Sequence, residues 1–381
     1  MSSKWLNIKK EFPGIRGYIY LNNAARSPLP RKTLEIVKKS MEDYIKDEVR
    51  GYQVYVARIQ EARKLAAKMI HTTAEKISLS FNTSIPLNIA AQGISFKKGD
   101  SILLSDNEFP ANVYPWLNLK KKRVRVKFVK SSNGIVTVDD FEDAWERRTR
   151  AIAISFVNFH NGFRNDLKSL SKLCRKNNAF LIVDGIQGAG VVELDVEGDG
   201  IDFFASAGHK WLLSPYGSGF MYVSDRLKKH LGITLTNWLA AGAHRFKEGE
   251  FHSLLEYEAK YPEDGRRFEI GTMPFHNIFG FGESLKMILK IGVPVIEERL
   301  KELLDPLIYE LYIKGVEIAG LLMPEHRSTI LSFKMKKGAE IVNRLKGKGI
   351  IVSYREGLIR VSPHIFNTES DIQKLVSALQ L

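Results

Sequence analysis

The chain has 381 residues, 44% hydrophobic and 26% charged, with a formal net charge of +14, a globular composition of a size that favours two domains. Its one cysteine, Cys174, excludes an internal disulfide framework and a cysteine-based metal cluster, and no apolar run is long enough to cross a bilayer. The first ten residues are polar and lysine-rich, without the apolar stretch of a signal peptide, so a reducing, cytoplasmic location is expected.

In chain order, residues 54–70 carry a helical apolar pattern. Residues 81–91 follow, where Asn82, Thr83 and Ser84 precede a helix with Pro86 in its first turn. Free N–H groups and the positive end of the dipole make such a start either a phosphate site or a plain helix cap. Apolar strands are expected at 101–104, 124–129, 151–157, 180–183 and 220–223. The basic run Lys120–Arg123 leads into the second of these, which reads as a solvated strand edge in preference to a nucleic-acid surface. Residues 167–176 form an amphipathic helix with Leu167, Leu170, Leu173 and Cys174 on one face; Cys174 reads there as a small buried hydrophobe. Strands alternating with helices predict an α/β fold with a largely parallel sheet covered on both faces.

Two segments carry chemistry. The strand 180–183 ends in Asp184, followed by Gly185-Ile186-Gln187-Gly188. Ligands of parallel sheets gather at such carboxyl ends, so Asp184 either holds a ring nitrogen protonated or caps the next helix. Further on, Lys210 follows Ala205-Ser206-Ala207-Gly208-His209 and precedes Trp211 and a serine- and glycine-containing run. Small residues admit close approach of a ligand, and a desolvated lysine can form an imine; the alternative is a surface lysine. From about Phe281 the pattern changes to helices at 281–290 and 295–314, strands at 329–334, 350–353 and 358–361, and a last helix at 369–379 capped by Asn367-Thr368. This predicts a large domain over 15–280 and a smaller α+β domain from 1–14 with 281–381.

Taken together, the Asp184-x-x-Gln187 segment, His209-Lys210, Gly271-Thr272-Met273-Pro274, Asn22-Asn23-Ala24-Ala25 and Arg360-Val361-Ser362-Pro363-His364 resemble the class V aminotransferases of pyridoxal 5'-phosphate (PLP) fold type I. That group includes cysteine desulfurases, kynureninase and isopenicillin N epimerase. The resemblance implies a mostly parallel seven-stranded sheet sandwiched by helices, and PLP as cofactor. It makes Lys210 the Schiff-base lysine and general acid/base, Asp184 the partner of the pyridine nitrogen, and Gln187 the partner of the phenolic oxygen. Thr83, Ser84 and His209 fall on the phosphate-binding positions, and Arg360 on the arginine for the substrate α-carboxylate. Thr272 matches a threonine that reaches the phosphate of a neighbouring subunit, which implies a homodimer with a shared site. Phe109 stands where desulfurases place a ring-stacking histidine, and can stack without transferring a proton.

Three departures matter. Residues 351–357 hold no cysteine where desulfurases carry their nucleophile, so a persulfide mechanism is not expected. Ala207 replaces a phosphate-binding serine, with Ser206 beside it, and Phe159 replaces an asparagine. The expected activity is transamination of an α-amino acid or related Cα/Cβ chemistry. An epimerase-like or kynureninase-like lyase reaction is the alternative within enzymes, and a non-catalytic basic nucleic-acid binder the alternative outside them. Trp238, His244 and His160 are further pocket candidates.

Overall fold

The computed structural model describes residues 3–46, 51–242, 246–247, 250–320 and 323–380. Its centre is a seven-stranded sheet of β1 (Ile77–Ser80), β2 (Ser101–Ser105), β3 (Arg125–Val129), β4 (Thr149–Ser155), β5 (Phe180–Asp184), β6 (Phe203–Ala207) and β7 (Gly219–Val223), in the order β1-β7-β6-β5-β4-β2-β3. β2 pairs in parallel with β3 and β4, and β4, β5 and β6 are parallel in turn; β7 runs antiparallel between β6 and β1. The fold is therefore α/β with a mixed, mostly parallel sheet, as the alternation of strands and helices predicts.

The continuous apolar run of β5 follows from its place in the middle. Leu181 and Val183 enter one core with Leu103, Ile152 and Phe204, while Ile182 enters a second core with Ile102, Ala153 and Phe203. Helices cover both faces, so no strand position there is left for water. Helix Leu167–Lys176 shows how: Asp166 accepts from Ser169 N at 2.9 Å to cap it, and Leu167, Leu170, Leu173 and Cys174 are all buried. β3 lies at the sheet edge, and Arg125 on it pairs with Glu146 at 2.7 Å. The lysine run before it thus flanks a sheet edge.

Helix Phe275–Ile291 packs on helices Arg31–Lys46 and Gly51–Met69. Gly292, at φ 93°, turns the chain into helix Val293–Ile313. Beyond it, a four-stranded antiparallel sheet runs in the order Ile318–Ala319, Leu331–Phe333, Leu358–Val361, Ser353–Arg355. The last helix, Glu369–Leu379, starts in a capping box in which Thr368 and Asp371 serve each other's backbone N–H. The N-terminal segment is clamped to this region. Ile19–Tyr20 pairs in parallel with Ile350–Ile351, Asn23 Nδ2 donates to Ser362 O at 2.8 Å, and Ala24 N donates to Ser362 Oγ at 3.1 Å. Residues 24 and 25 are thereby fixed between the C-terminal sheet and the carboxyl end of β5.

One buried ion pair locks β1 in place. Arg63, on helix Gly51–Met69, donates to Glu269, and Glu269 also accepts from Leu79 N at 2.9 Å. Removing one partner of such a pair strands the other charge. Arg63→Met is expected to cost about 3–5 kcal/mol in denaturant unfolding, and the double variant Arg63→Met/Glu269→Gln to recover a large part of it.

Candidate active site

The carboxyl ends of β4, β5 and β6 and the turns after β1 and β2 open into one cleft of about 470 Å³. Asp184 ends β5 and is buried. Its Oδ1 accepts from Ile186 N at 3.0 Å, the one donor it has among the described residues. Burial pushes its pKa up to about 6, against the lowering effect of that hydrogen bond and of Lys210. The tight turn that aims this carboxylate needs glycine: a Cβ on Gly185 would lie 1.9 Å from the Phe204 ring.

Lys210 follows β6 and lines the same cleft, half-buried. Burial lowers its pKa to about 8, opposed by Asp184 and assisted by Arg360 and Arg355. Among the described residues it has no carboxylate within ion-pair distance. Its Nζ lies 5.6 Å from the centre of the Phe109 ring. That ring is 40% exposed toward the cleft mouth and meets Phe159 edge-on at 5.2 Å. Phe159, at the position of the absent asparagine, is therefore part of the cleft wall.

Gln187 is fixed at both ends of its amide. Nε2 donates to Ala24 O at 3.0 Å, and Oε1 accepts from Trp211 Nε1 at 2.8 Å. One amide hydrogen remains to face the cleft. His209 stacks on Tyr216 at 4.7 Å, and burial with the Lys210 charge lowers its pKa to about 4, leaving the ring neutral.

Helix Ser84–Gly93 points its N-terminus into the cleft. The capping side chain is that of Asn82, which accepts from Ile85 N at 2.9 Å, while the Thr83 hydroxyl accepts from Ala207 N at 3.1 Å. Thr83 thus ties the helix start to β6, and Ser84 opens the helix. Ser206 has its hydroxyl bonded to Ala207 O at 3.3 Å and is not among the cleft-lining residues, so it does not stand in for a serine at 207.

Arg360, 2% exposed, rises from strand Leu358–Val361. Nε donates to Ser353 Oγ at 3.2 Å and Nη1 to Phe159 O at 2.5 Å. Burial and the nearby Arg355 lower its pKa to about 10. The structure therefore collects Lys210, Asp184, Gln187, His209, Thr83, Ser84, Phe109 and Arg360 in one place. It does not bring Thr272 there; that residue is exposed outside the cleft. His160 and Trp238 are not among the cleft-lining residues, His160 having a ring nitrogen 3.2 Å from Glu356 O, and His244 falls outside the described residues.

Residues not singled out from the sequence also belong here. Glu108, next to Phe109, is buried under the site; it accepts from Ser155 N at 2.7 Å, Ser155 Oγ at 2.6 Å and Asn112 Nδ2 at 3.0 Å. Burial raises its pKa to about 7. Arg355 and Glu356 line the mouth. A larger hollow of about 800 Å³ lies between helix Ser3–Lys10 and Lys348–Gly349, lined by lysines and the Lys9–Asp371 ion pair, and contains none of these groups.

The fold has solved counterparts. The apo structure of a cysteine desulfurase from Thermococcus onnurineus superposes with a TM-score of 0.87 at 24% identity, covering 98% of this chain and 96% of that one. A cystine C–S lyase solved with cysteine persulfide gives 0.86 at 22% identity, over 97% and 98% of the two chains. In sequence, a probable cysteine desulfurase of Methanothermobacter thermautotrophicus is 28% identical, covering 98% of this chain and 97% of its own. An uncharacterized aminotransferase of Bacillus subtilis, YcbU, is 23% identical over 97% and 95%. The class V aminotransferase model matches residues 19–375, and the chain belongs to that family of PLP-dependent enzymes.

The cleft residues fit that cofactor. A buried carboxylate with a single backbone donor, an amine with no ion pair among the described residues, the helix-start N–H groups that Asn82 does not cap and an exposed aromatic face are each suited to a partner that PLP supplies.

The raised pKa of Asp184 has a thermodynamic signature in the apoprotein. An unfolded Asp titrates near 3.8 and the folded one near 6, so the native state binds the extra proton between those values. This group's contribution to stability is greatest below about pH 4 and falls as pH rises through 6. Apo Asp184→Asn is expected to exceed the parent in stability at pH 8 by roughly 3 kcal/mol, with the gap closed near pH 4; denaturant midpoints measured across that range check it.

Proposed function

We propose that this chain acts on an α-amino acid through PLP held at Lys210 and Asp184, by transamination or a related Cα/Cβ reaction that uses no cysteine of its own. The observation that carries this reading is a depressed lysine and a buried, under-bonded aspartate in one cleft, with a buried arginine on the facing wall. When bound, PLP supplies an electron sink for the bond broken at Cα.

The chain's own residues do the rest. Asp184, placed against a cationic ring nitrogen, would be ionised at neutral pH and would hold that nitrogen protonated. Lys210 has a pKa near the working range, so its amine can take a proton from Cα and return it. A proton given back on the same face would regenerate the substrate, protonation of the opposite face would give epimerisation, and delivery to a carbon of bound PLP instead would give transamination. Phe109 stacks and carries no proton. The N–H groups opening helix Ser84–Gly93, with Ser84 and neutral His209, would receive the phosphate. Arg360, fixed by Ser353 and Phe159, keeps further guanidinium N–H groups for the α-carboxylate. Thr272, exposed outside its own cleft, supports the reading that it serves the site of a second copy.

Cysteine desulfuration is the named or probable activity of several relatives, and it needs a thiolate at the substrate. Cys174, the one cysteine of the sequence, is buried in helix Leu167–Lys176, and burial drives its thiol pKa up. It is not among the residues that line the cleft, which supports a reaction without a thiol from this chain.

The purified protein should be yellow and lose its colour irreversibly on borohydride treatment. A spectral screen of amino acids should then name substrate and reaction branch. Lys210→Ala should lower turnover by at least about 10²-fold. Cys174→Ala should leave turnover unchanged; loss of activity with cysteine as substrate would restore the desulfurase reading.

A further inference from the structure

The mouth of the cleft carries more positive charge than the reaction described above requires. Strands Ser353–Arg355 and Leu358–Val361 form a hairpin whose two-residue turn is Glu356–Gly357, with φ of 45° and 86°. Positive φ at both positions is the tight turn that matches strand twist, and Gly357 makes it accessible. The register pairs Ser353 with Arg360 and Arg355 with Leu358. Cross-strand partners share a face, and so do residues two apart, which makes Arg355 and Arg360 diagonal neighbours on one face of the hairpin. Both line the cleft.

Their environments differ. Arg360 is buried and anchored by two hydrogen bonds. Arg355 is exposed and has no carboxylate within ion-pair distance among the described residues. Glu356 makes no ion pair with either arginine among those residues; its backbone carbonyl is tied to His160. Burial first, and the like charge of Arg355 second, lower the pKa of Arg360. An α-carboxylate satisfies one of the two guanidinium groups and leaves the other facing the same space.

We propose that the substrate is an α-amino acid with a second carboxylate on its side chain, received by Arg355 while Arg360 holds the α-carboxylate. This rests on the site reading of the preceding subsection. A planar guanidinium presents paired N–H donors to a carboxylate, whereas a side-chain amide or methyl offers no charge.

Calorimetry on the PLP-loaded protein provides a test without turnover. Succinate and glutarate should bind about 10- to 100-fold more tightly than butyrate and valerate, the size of one charge-assisted hydrogen bond. Arg355→Met should abolish that preference, with a clearly smaller loss for butyrate than for succinate, and Arg355→Lys should restore part of it. In parallel, aspartate and glutamate should perturb the cofactor spectrum at lower concentrations than asparagine and glutamine. Equal binding of mono- and dicarboxylates by a yellow protein overturns the substrate assignment alone. Equal losses for both ligand classes in Arg355→Met overturn it too. A chain that takes up no PLP overturns the assignment together with the function it rests on.

Discussion

A carboxylate buried at the end of a central strand, with one backbone donor and a depressed lysine opposite it, is the arrangement around which the cleft is organised. Burying an ionised group without a partner is costly, and Asp184 shows that cost in its raised pKa. The surrounding fold tolerates it because β5 is held on both sides by parallel neighbours, and Gly185 lets the chain pass close against the Phe204 ring directly after it. The same burial lowers Lys210. Two groups of opposite charge are thus moved toward each other's titration range by one cause, desolvation, which prepares both for a ligand that contains a cationic nitrogen and an electrophilic carbon.

The other wall depends on a different constraint. Arg360 belongs to the C-terminal sheet, and Phe159 to the loop after β4, so the hydrogen bond from Nη1 to Phe159 O joins the two. The clamp of residues 19–24 onto strand 350–351 and Ser362 joins them again, and Gln187 closes the circuit through Ala24 O. Orientation of a substrate between Arg360 and Lys210 is therefore a property of how these segments are tied together, and no single motif contains it.

Kinship with desulfurases extends across the whole fold, yet chemistry resides in particular side chains. Here Lys210, Asp184 and Arg360 line one cleft, while the chain's thiol is buried in helix Leu167–Lys176. Phe109 and Phe159 make the cleft more apolar than a histidine and an asparagine would, and Arg355 makes its mouth more cationic. Differences in reaction and substrate within one fold are expected at such positions.

The sequence alone determined the α/β class, five of the seven sheet strands, the capped C-terminal helix and the chemically distinctive residues, since each is written in a local pattern: an apolar run, a capping pair, Asp or His-Lys beside small residues. β1 and β6 escaped it because their short Ser- and Ala-containing stretches become strands only when β7 pairs between them. Glu108, Arg355 and the capping role of Asn82 were likewise decided by tertiary structure. A glutamate is buried only once Ser155 and Asn112 surround it, and Arg355 reaches the cleft only because the hairpin register turns it to the face of Arg360. Periodicity senses neighbours a few residues away, whereas the site is assembled by a sheet order, β1-β7-β6-β5-β4-β2-β3, that brings together strand ends from distant parts of the chain.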